Sequence, residues 1–432
     1  MFRPVMPAIR LTCILVACTM TTGGPLESQG AAESIVRHVQ THPAFRSAAS
    51  VLDRDYSRFV AETIALTEVP APPFKEAARA AAYLELLRDA GLVDVERDHE
   101  GNVMGMRRGD GGPVLVIAAH LDSVFPEGTD VRVKRDGTIL QAPGVGDDAH
   151  GLALLLALAR AMNEAGVRTT DDVLFVGTVG EEGGGDLRGA RYLFEKGRYK
   201  NRIGLFVSID GTGSGTVVTN AGVASLRLHV TFTGPGGHSY GSFGLVSPAF
   251  ALATAIHSLS ELTWPDGPKT TYNVGQIGGG TAINAIPAEA WMDVDLRSES
   301  AAALTDLERT FMTLLQQAAA NENRARSTED GSIAVDVKRL GSRPAGRTPS
   351  GALIVKVAMA ATRALDLVPA LMSSSTDANL PMSLKVPAIT IDSGMPGGRV
   401  HSPGEWLDTD RRAGIAGSTR ALLILLSLAG LI

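Results

Sequence analysis

The chain has 432 residues and a formal net charge of -6 at pH 7. Hydrophobic residues make up 44% and charged residues 20% of it, which excludes a disordered chain and predicts a folded globular protein. The acidic balance implies no basic surface, so we expect no nucleic-acid partner. A chain of this length is too long for one ordinary core and predicts two domains.

Residues 1–18 have the features of an export signal. Arg3 and Arg10 precede an apolar run, Leu11 to Ala17, that is far shorter than the roughly 20 residues a membrane-spanning helix needs. The run ends in Leu-Val-Ala-Cys at Cys18, which resembles a bacterial lipobox, where the cysteine receives lipid. We therefore predict an exported, periplasmic or cell-envelope lipoprotein with a lipid anchor at Cys18. A plain secretory signal cleaved nearby, or no processing, are the alternatives.

Both cysteines, Cys13 and Cys18, lie in this segment. The mature domain would therefore contain no disulfide and no thiolate metal ligand, and any metal would be held by His, Asp and Glu. Residues 19–50 predict a tether followed by a first helix.

Residues 51–223 predict the first part of a large α/β domain. Helical patterns at Phe74–Ala90 and His150–Ala165 alternate with short apolar strands at Val114–Ile117, Val173–Val176 and Leu205–Val207. Such alternation predicts a mostly parallel sheet with helices on both faces.

The pattern changes near Ala224, where apolar and polar residues begin to alternate. Residues 224–340 predict a β-α-β-β-α-β arrangement, an inserted α+β layer. Its predicted elements are a strand around Leu226–Phe232, a helix at Ser247–Leu262, strands at Tyr272–Ile277 and Trp291–Arg297, a helix at Ala301–Glu322 and a strand at Ile333–Val337.

The α/β pattern resumes in residues 341–432, with a helix near Ala352–Leu365 and a strand at Ala388–Ile391. The apolar stretch Ala421–Ile432 is too short to span a membrane, and we interpret it as the end of a buried helix.

Acidic residues and histidines lie at or just beyond the ends of the predicted strands. Each motif alone is also explained by a surface turn, a helix N-cap or a solvated acidic loop. Open α/β sheets, however, place their ligand sites at the carboxyl ends of strands, and the set supplies enough ligands for two metal ions with a shared carboxylate. The motifs are His120-Leu121-Asp122, Asp147-Asp148, Glu181-Glu182, Asp210 and His401.

The residue types suggest distinct chemical roles. Asp122 could accept a hydrogen bond from the ring of His120 or from a neighbouring ligand, because residues two apart in an extended chain point the same way. The adjacent aspartates repel each other unless a cation relieves the repulsion. Of the paired glutamates, one could bind metal while the other takes a proton from water. Two ions about 3.5–4 Å apart can activate water and polarise a carbonyl.

From about Tyr56 to the C-terminus the chain resembles the dinuclear zinc peptidases that include peptidase T, carboxypeptidase G, carnosinase and the aminoacylases. It is most similar to the peptidase T-like branch, to which residues 66–74 and 375–379 also point. The resemblance implies a mostly parallel α/β catalytic domain with an inserted, ferredoxin-like α+β lid and dimerisation domain. It rests on the ordered series His120-x-Asp122, Asp147-Asp148, Glu181-Glu182, Asp210, His238, Asn284-x-Ile286-Pro287, Arg297 and His401.

The resemblance also implies the metal ligands. Asp147 would bridge two Zn²⁺ ions, His120 and Asp210 would complete one site, and Glu182 and His401 the other. The peptide bond after Asp147 is expected to be cis. Co²⁺ or Mn²⁺ would also suit a site of carboxylates and imidazoles.

The remaining roles concern catalysis and substrate. Glu181 would be the general base, and Asp122 would orient the imidazole two residues before it. His238 would reach the site of a neighbouring subunit and stabilise the oxyanion. Asn284 and Arg297 would position the substrate, with Arg297 suited to gripping a carboxylate.

The sequence therefore predicts a zinc-dependent metallopeptidase that acts on short peptides as a homodimer formed through the inserted domain. Asp210 is typical of the aminopeptidase and dipeptidase branches, whereas carboxypeptidases and deacylases usually carry Glu. An N-acyl amino-acid deacylase or a carboxypeptidase with the same metal chemistry is the alternative. A non-catalytic binding module is a third reading, against which the intact ligands and Glu181 argue. Ala149 departs from the lysine of many members, which puts a contact beside the metal site in doubt.

Overall fold

The computed structural model describes residues 25–432, so the predicted signal peptide and Cys18 lie outside the described residues. The helices are α1 Pro25–Thr41, α2 Pro43–Arg54, α3 Tyr56–Thr67, α4 Ala77–Asp89, α5 His150–Glu164, α6 Arg188–Glu195, α7 Pro248–Ser260, α8 Ala301–Ala325, α9 Leu353–Arg363, α10 Asn379–Ser383 and α11 Arg411–Ala429. The strands are β1 Val93–Arg97, β2 Val103–Arg107, β3 Val114–His120, β4 Lys134–Asp136, β5 Ile139–Gln141, β6 Asp172–Thr178, β7 Ile203–Ile209, β8 Val217–Gly222, β9 Ala224–Thr233, β10 Gly237–His238, β11 Thr270–Gly279, β12 Ala285–Ile286, β13 Glu289–Ser298, β14 Ala334–Arg343, β15 Gly346–Arg347, β16 Ala370–Ser374, β17 Ala388–Ile391, β18 Gly397–Gly398 and β19 Trp406–Asp408.

The large domain is built on one mixed sheet in the order β1-β2-β6-β3-β7-β17-β8-β15, with β16 paired to β8. The four central strands β6, β3, β7 and β17 are parallel to one another. Every residue of β3 and β6 is buried, as expected for parallel strands covered on both faces. The predicted α/β class is therefore confirmed, with antiparallel strands added at the edges.

Two helices, α1 and α2, precede Tyr56 in the region where the sequence predicts a tether and a first helix. Pro43 separates α1 from α2, since proline cannot donate within a helix but fits its first turn. The ring of His42 accepts a hydrogen bond from the backbone N–H of Ala44 at 3.2 Å and caps the second helix.

The inserted layer forms a separate antiparallel sheet in the order β11-β13-β9-β14, with α7 and α8 on one face. Alternate residues of β9, from Leu226 to Phe232, are buried against Phe311 and Leu315 of α8. The alternation read from the sequence therefore matches the two faces of this sheet. We call this sheet and its two helices the lid.

Helix α11 begins ten residues before the apolar stretch that predicted it. It spans 19 residues, Arg411–Ala429, and is long and apolar enough to cross a membrane by length and composition alone. Its most apolar window is 67% buried within the protein, which is the behaviour of a core helix. Buried Arg420 donates to the carboxylate of Asp392 at 2.8 Å, so the helix also carries a compensated charge inside the fold.

Candidate metal centre

Three adjacent parallel strands deliver the predicted acidic and imidazole side chains to one edge of the sheet. His120 is the last residue of β3, Glu181 and Glu182 follow β6, and Asp210 follows β7. Asp147 lies in the turn Val145–Ala149 that leads into α5, where its own backbone angles are not helical, and its peptide bond to the next residue is cis. Because the carboxyl ends of parallel strands meet at the same edge, residues far apart in sequence become neighbours.

The carboxylate of Asp147 lies between two imidazoles. Nε2 of His120 is 2.7 Å from one carboxylate oxygen, and Nε2 of His401 is 3.0 Å from the other. Nε2 of His401 is also 2.7 Å from Oε1 of Glu182. Single ligand atoms of His120, Asp147 and Glu182 all lie within 4.8 Å of one another. A carboxylate with one histidine at each oxygen is the arrangement expected of a bridge between two metal ions.

Asp210 completes this group of acids and imidazoles. It lines the same cavity of about 430 Å³ as Asp147, Glu182 and His401. Burial, reinforced by the charge of Asp147, raises the pKa of Asp210 to about 7. Buried carboxylates that repel each other favour a bound cation, so the donor set fits divalent metal ions.

Proton affinities in the cluster follow its hydrogen bonds. Burial opposes ionisation of Asp147, yet hydrogen bonds from His120 and His401 hold its pKa below the usual value. The pKa of His401 is raised to about 10 by its hydrogen bonds to Asp147 and Glu182. Metal binding at these positions would displace protons from the imidazoles, since a ligand histidine must be neutral.

The structure corrects the route by which Asp122 acts on His120. Nδ1 of His120 donates to the backbone carbonyl of Asp122 at 3.0 Å, while the Asp122 carboxylate is 3.8 Å from that nitrogen. The carboxylate instead accepts the backbone N–H groups of Glu181 and Glu182, at 3.0 and 2.8 Å. The carbonyl therefore fixes the tautomer that leaves Nε2 free as a ligand, and the carboxylate holds the glutamate loop.

Glu181 is buried beside the cluster of metal ligands, and a lid residue holds its side chain in place. Nη1 of Arg343, the last residue of β14, donates to Oε1 of Glu181 at 3.0 Å and to the hydroxyl of Ser375 at 3.1 Å. Burial raises the pKa of Glu181 well above its usual value, against the lowering effect of Arg343. A carboxylate of raised pKa next to a metal cluster is suited to accepting and returning a proton.

A sequence profile described as Peptidase family M20/M25/M40 matches residues 116–424. The chain belongs to this family. It is thus a hydrolase of a peptidase family whose members bind two metal ions, as the resemblance implied.

Named relatives of this M20 chain differ in their activities. Succinyl-diaminopimelate desuccinylase from Methylobacillus flagellatus is 26% identical over 304 residues, which cover 65% of this chain and 76% of that protein. Carboxypeptidase G2 from Pseudomonas sp. is 26% identical over 236 residues, and the chain spans about half of its length, 54%. The crystal structure of aminopeptidase PepT from Bacillus cereus covers 85% of this chain and 98% of its own at 22% identity and a TM-score of 0.67, which shows a shared fold.

The predicted substrate residues of this M20 chain fall into two groups. Arg297 lines the cavity, and its Nε donates to Asp295 at 2.7 Å. His238 and Asn284 are exposed on the lid and, among the described residues, stand outside the group that lines the cavity. They lie close together, because β10 pairs with β12 and the N–H of Ser239 donates to the carbonyl of Asn284 at 3.0 Å.

The sequence interpretation missed several residues around the site. Besides Arg343, Arg227 of β9 lines the cavity and donates to the carbonyl of Gly183. Both arginines are lid residues with no distinctive neighbours in sequence, although Arg227 does occupy a polar position of an alternating strand. The alternation could have shown on which face of the sheet Arg227 lies, but not that this face covers the cavity with the metal ligands.

Glu405 was also missed. Its carboxylate accepts the N–H groups of Gly144 and Gly146, at 3.1 and 2.7 Å, and so fixes the turn that carries Asp147. Burial raises the pKa of Glu405 to about 7. The contact with Gly146 joins residues 259 positions apart, which no local pattern reveals.

Proposed function

We propose that this M20 peptidase hydrolyses peptide bonds of short peptides, in the manner of an aminopeptidase or dipeptidase, with two Zn²⁺ ions per subunit. The observation that carries the proposal is the Asp147 carboxylate between His120 and His401, with the buried Glu181 beside it. Four of the five predicted ligands line the cavity at this point, Asp147, Glu182, Asp210 and His401, and the cavity is open to a small substrate.

Divalent ions bound there would polarise the scissile carbonyl and lower the pKa of water. Glu181 takes the proton from the attacking water and then transfers it to the leaving amine. Its raised pKa suits both steps, because a carboxylate that is too acidic would bind the proton only weakly. Arg343 and Asp122 keep the side chain and backbone of this glutamate in place.

A deacylase or carboxypeptidase reaction is the second candidate. It is supported by the named relatives, one a desuccinylase and one a carboxypeptidase. Asp210 favours the aminopeptidase-like reaction, because the deacylating members of the family that the sequence resembles usually carry Glu at this position. The two candidates share the metal chemistry and differ in whether the substrate has a free or a blocked amino end.

The exposed lid loops support a homodimer. Tyr240, Phe243 and Ile283 are 89%, 85% and 104% exposed beside His238 and Asn284, an arrangement of apolar side chains that favours contact with another protein surface. We place a second copy of the chain there, because His238 then reaches a cavity that is not its own and can stabilise an oxyanion.

Export and lipidation remain part of the proposal for residues 1–18. Metabolic labelling with a fatty acid, followed by fractionation of the cell envelope, tests it. Label on the wild-type chain that disappears in Cys18→Ser supports a lipoprotein. An unlabelled, soluble exported protein would instead indicate plain secretion.

The central experiment combines metal analysis with a panel of free and N-blocked dipeptides. We expect about two metal ions per subunit, turnover of free dipeptides, loss of activity with a chelator and recovery with Zn²⁺. Turnover of N-blocked substrates alone would favour the deacylase. A protein that binds metal and turns over neither class is not the enzyme proposed here.

A further inference from the structure

The lid sheet presents three arginines on the face that looks toward the catalytic domain. In β9, Leu226 and Leu228 pack against the lid helices, so Arg227 between them points the other way. Arg297 of β13 and Arg343 of β14 are both in register with Ser225, which shares the face of Arg227. Three neighbouring strands thus place guanidinium groups side by side.

All three of these arginines line the cavity that contains the metal ligands. Arg343 reaches Glu181, and Arg227 donates to the carbonyl of Gly183 in the loop after Glu182. The polar face of the lid is therefore the cationic wall of the candidate active site.

The arginines of this wall differ in how their charges are compensated. Arg343 pairs with Glu181 at 3.0 Å, and Arg297 pairs with Asp295 at 2.7 Å. Nε of Arg227 is 3.8 Å from the same Asp295, so one carboxylate faces two guanidinium groups. The side chain of Arg227 is only 20% exposed, which limits the compensation that water can give.

The rest of the cavity wall is rich in hydroxyl groups. Thr219, Ser375, Thr376 and Thr390 all line it, and Thr390 shares a hydrogen bond of 2.7 Å with Thr376. Such a wall suits a polar substrate group, because an apolar side chain would displace water from these hydroxyls without replacing its hydrogen bonds.

We propose that the amino acid released by hydrolysis is acidic, and that Arg227 binds its side-chain carboxylate while Arg297 binds its main-chain carboxylate. The proposal rests on the hydrolase function proposed above and specifies its substrate class as peptides or acyl derivatives of Asp or Glu. Guanidinium groups bind carboxylates through paired, charge-assisted hydrogen bonds. Arg227 is thus a specificity-determining residue, since a neutral amide in the same place would leave it only the Asp295 carboxylate that it shares with Arg297.

The test uses matched substrates that differ only in charge. The metal-loaded, full-length protein is assayed with Ala-Glu against Ala-Gln, and with N-acetyl-Glu against N-acetyl-Gln. We expect kcat/KM to be at least about tenfold higher for the Glu member of whichever pair is turned over, mainly through KM. Arg227→Gln should reduce this ratio to near one by slowing the Glu member much more than the Gln member.

Arg339→Gln is the matched control. It removes the same charge from the lid, but Arg339 pairs with Glu308 at 2.9 Å and is in register with Leu228, on the helix side of the sheet. The control should keep the wild-type ratio. If Arg227→Gln does not fold, Arg227→Lys keeps the charge without the planar donor pair and should lower the ratio partially.

Equal or faster turnover of the Gln members by the wild-type protein would overturn the acidic-substrate proposal, and so would an unchanged ratio in a folded Arg227→Gln. In both cases turnover of neutral substrates leaves the hydrolase function standing. Failure of the metal-loaded protein on every peptide and acyl substrate instead counts against the hydrolase function itself.

Discussion

The metal-ligand cluster lies in the candidate active site, whereas the His238 loop is proposed to reach the site of a second copy, and the two regions are held in opposite ways. The cluster lies at the end of a parallel sheet, where His120, Asp147 and Glu182 are buried and hydrogen-bonded within the cluster. His238 is on a two-residue strand at the surface of the lid, with its side chain exposed. In the sequence, the two regions were recognised equally well from their motifs.

This difference separates the part of the site that one chain can form by itself from the part that is proposed to need a second copy. Ligand groups must be fixed before a metal binds, so the parallel sheet and the loop hydrogen bonds hold them rigidly. The His238 loop displays polar and apolar groups outward, where a second copy can order them on association. Four substitutions separate metal binding, proton transfer and the proposed contribution of a partner subunit, and the one at Asp147 has the largest expected effect.

Asp147→Asn should cause the largest loss, because it removes charge from the carboxylate that contacts both histidines. We expect metal affinity to fall by more than the roughly 100-fold that loss of an outer partner can cost, with activity at background. Metal content after dialysis measures this directly. Exposed Asp130→Asn is the control, and full metal content in Asp147→Asn would show that this residue is no bridge.

Glu181→Gln should abolish most turnover while both metals stay bound. The amide cannot accept the proton of water, and removal of a general base typically costs about 10²–10⁴-fold in rate. Steady-state kinetics and metal analysis of the same sample test both halves of the prediction. Near-normal activity would assign the base to another group.

His238→Ala should lower kcat by about 10²–10³-fold, as for loss of one oxyanion donor, with unchanged metal content. Mixing this variant with Glu181→Gln under conditions that exchange subunits should restore about a quarter of the wild-type activity, since half of the dimers would then have one intact site. An unchanged rate would remove His238 from the site. A slow variant that mixing cannot rescue would place it in its own subunit's reaction.

Asp122→Asn should have the smallest effect, a loss of about 10–100-fold in kcat. The amide keeps one acceptor for the glutamate loop and leaves the backbone carbonyl that orients His120 untouched. Metal content should therefore remain at the wild-type level. Loss of metal would restore the role expected from the sequence, in which the carboxylate orients the imidazole.

Much of the fold could be predicted, because periodicity and helix-breaking residues are local properties. The strands that end near His120, Glu181 and Asp210 were identifiable as short apolar runs followed by polar groups. The break at Pro43 was not predicted. The apolar stretch from Ala421 was correctly interpreted as the end of a buried helix, but the start of that helix at Arg411 was not located, since a helix that contains charged residues such as Arg420 does not look apolar.

The amino-acid sequence by itself determined the order of elements, the types of ligand and the strand ends that carry them, because each depends on neighbouring residues and side-chain chemistry. Tertiary structure alone decided which group Asp122 holds, that Arg227 and Arg343 face the cavity, and that His238 points away from it. The physical reason is distance along the chain: Arg343 and Glu181 are 162 positions apart, and only the packing of the lid on the sheet brings them into contact.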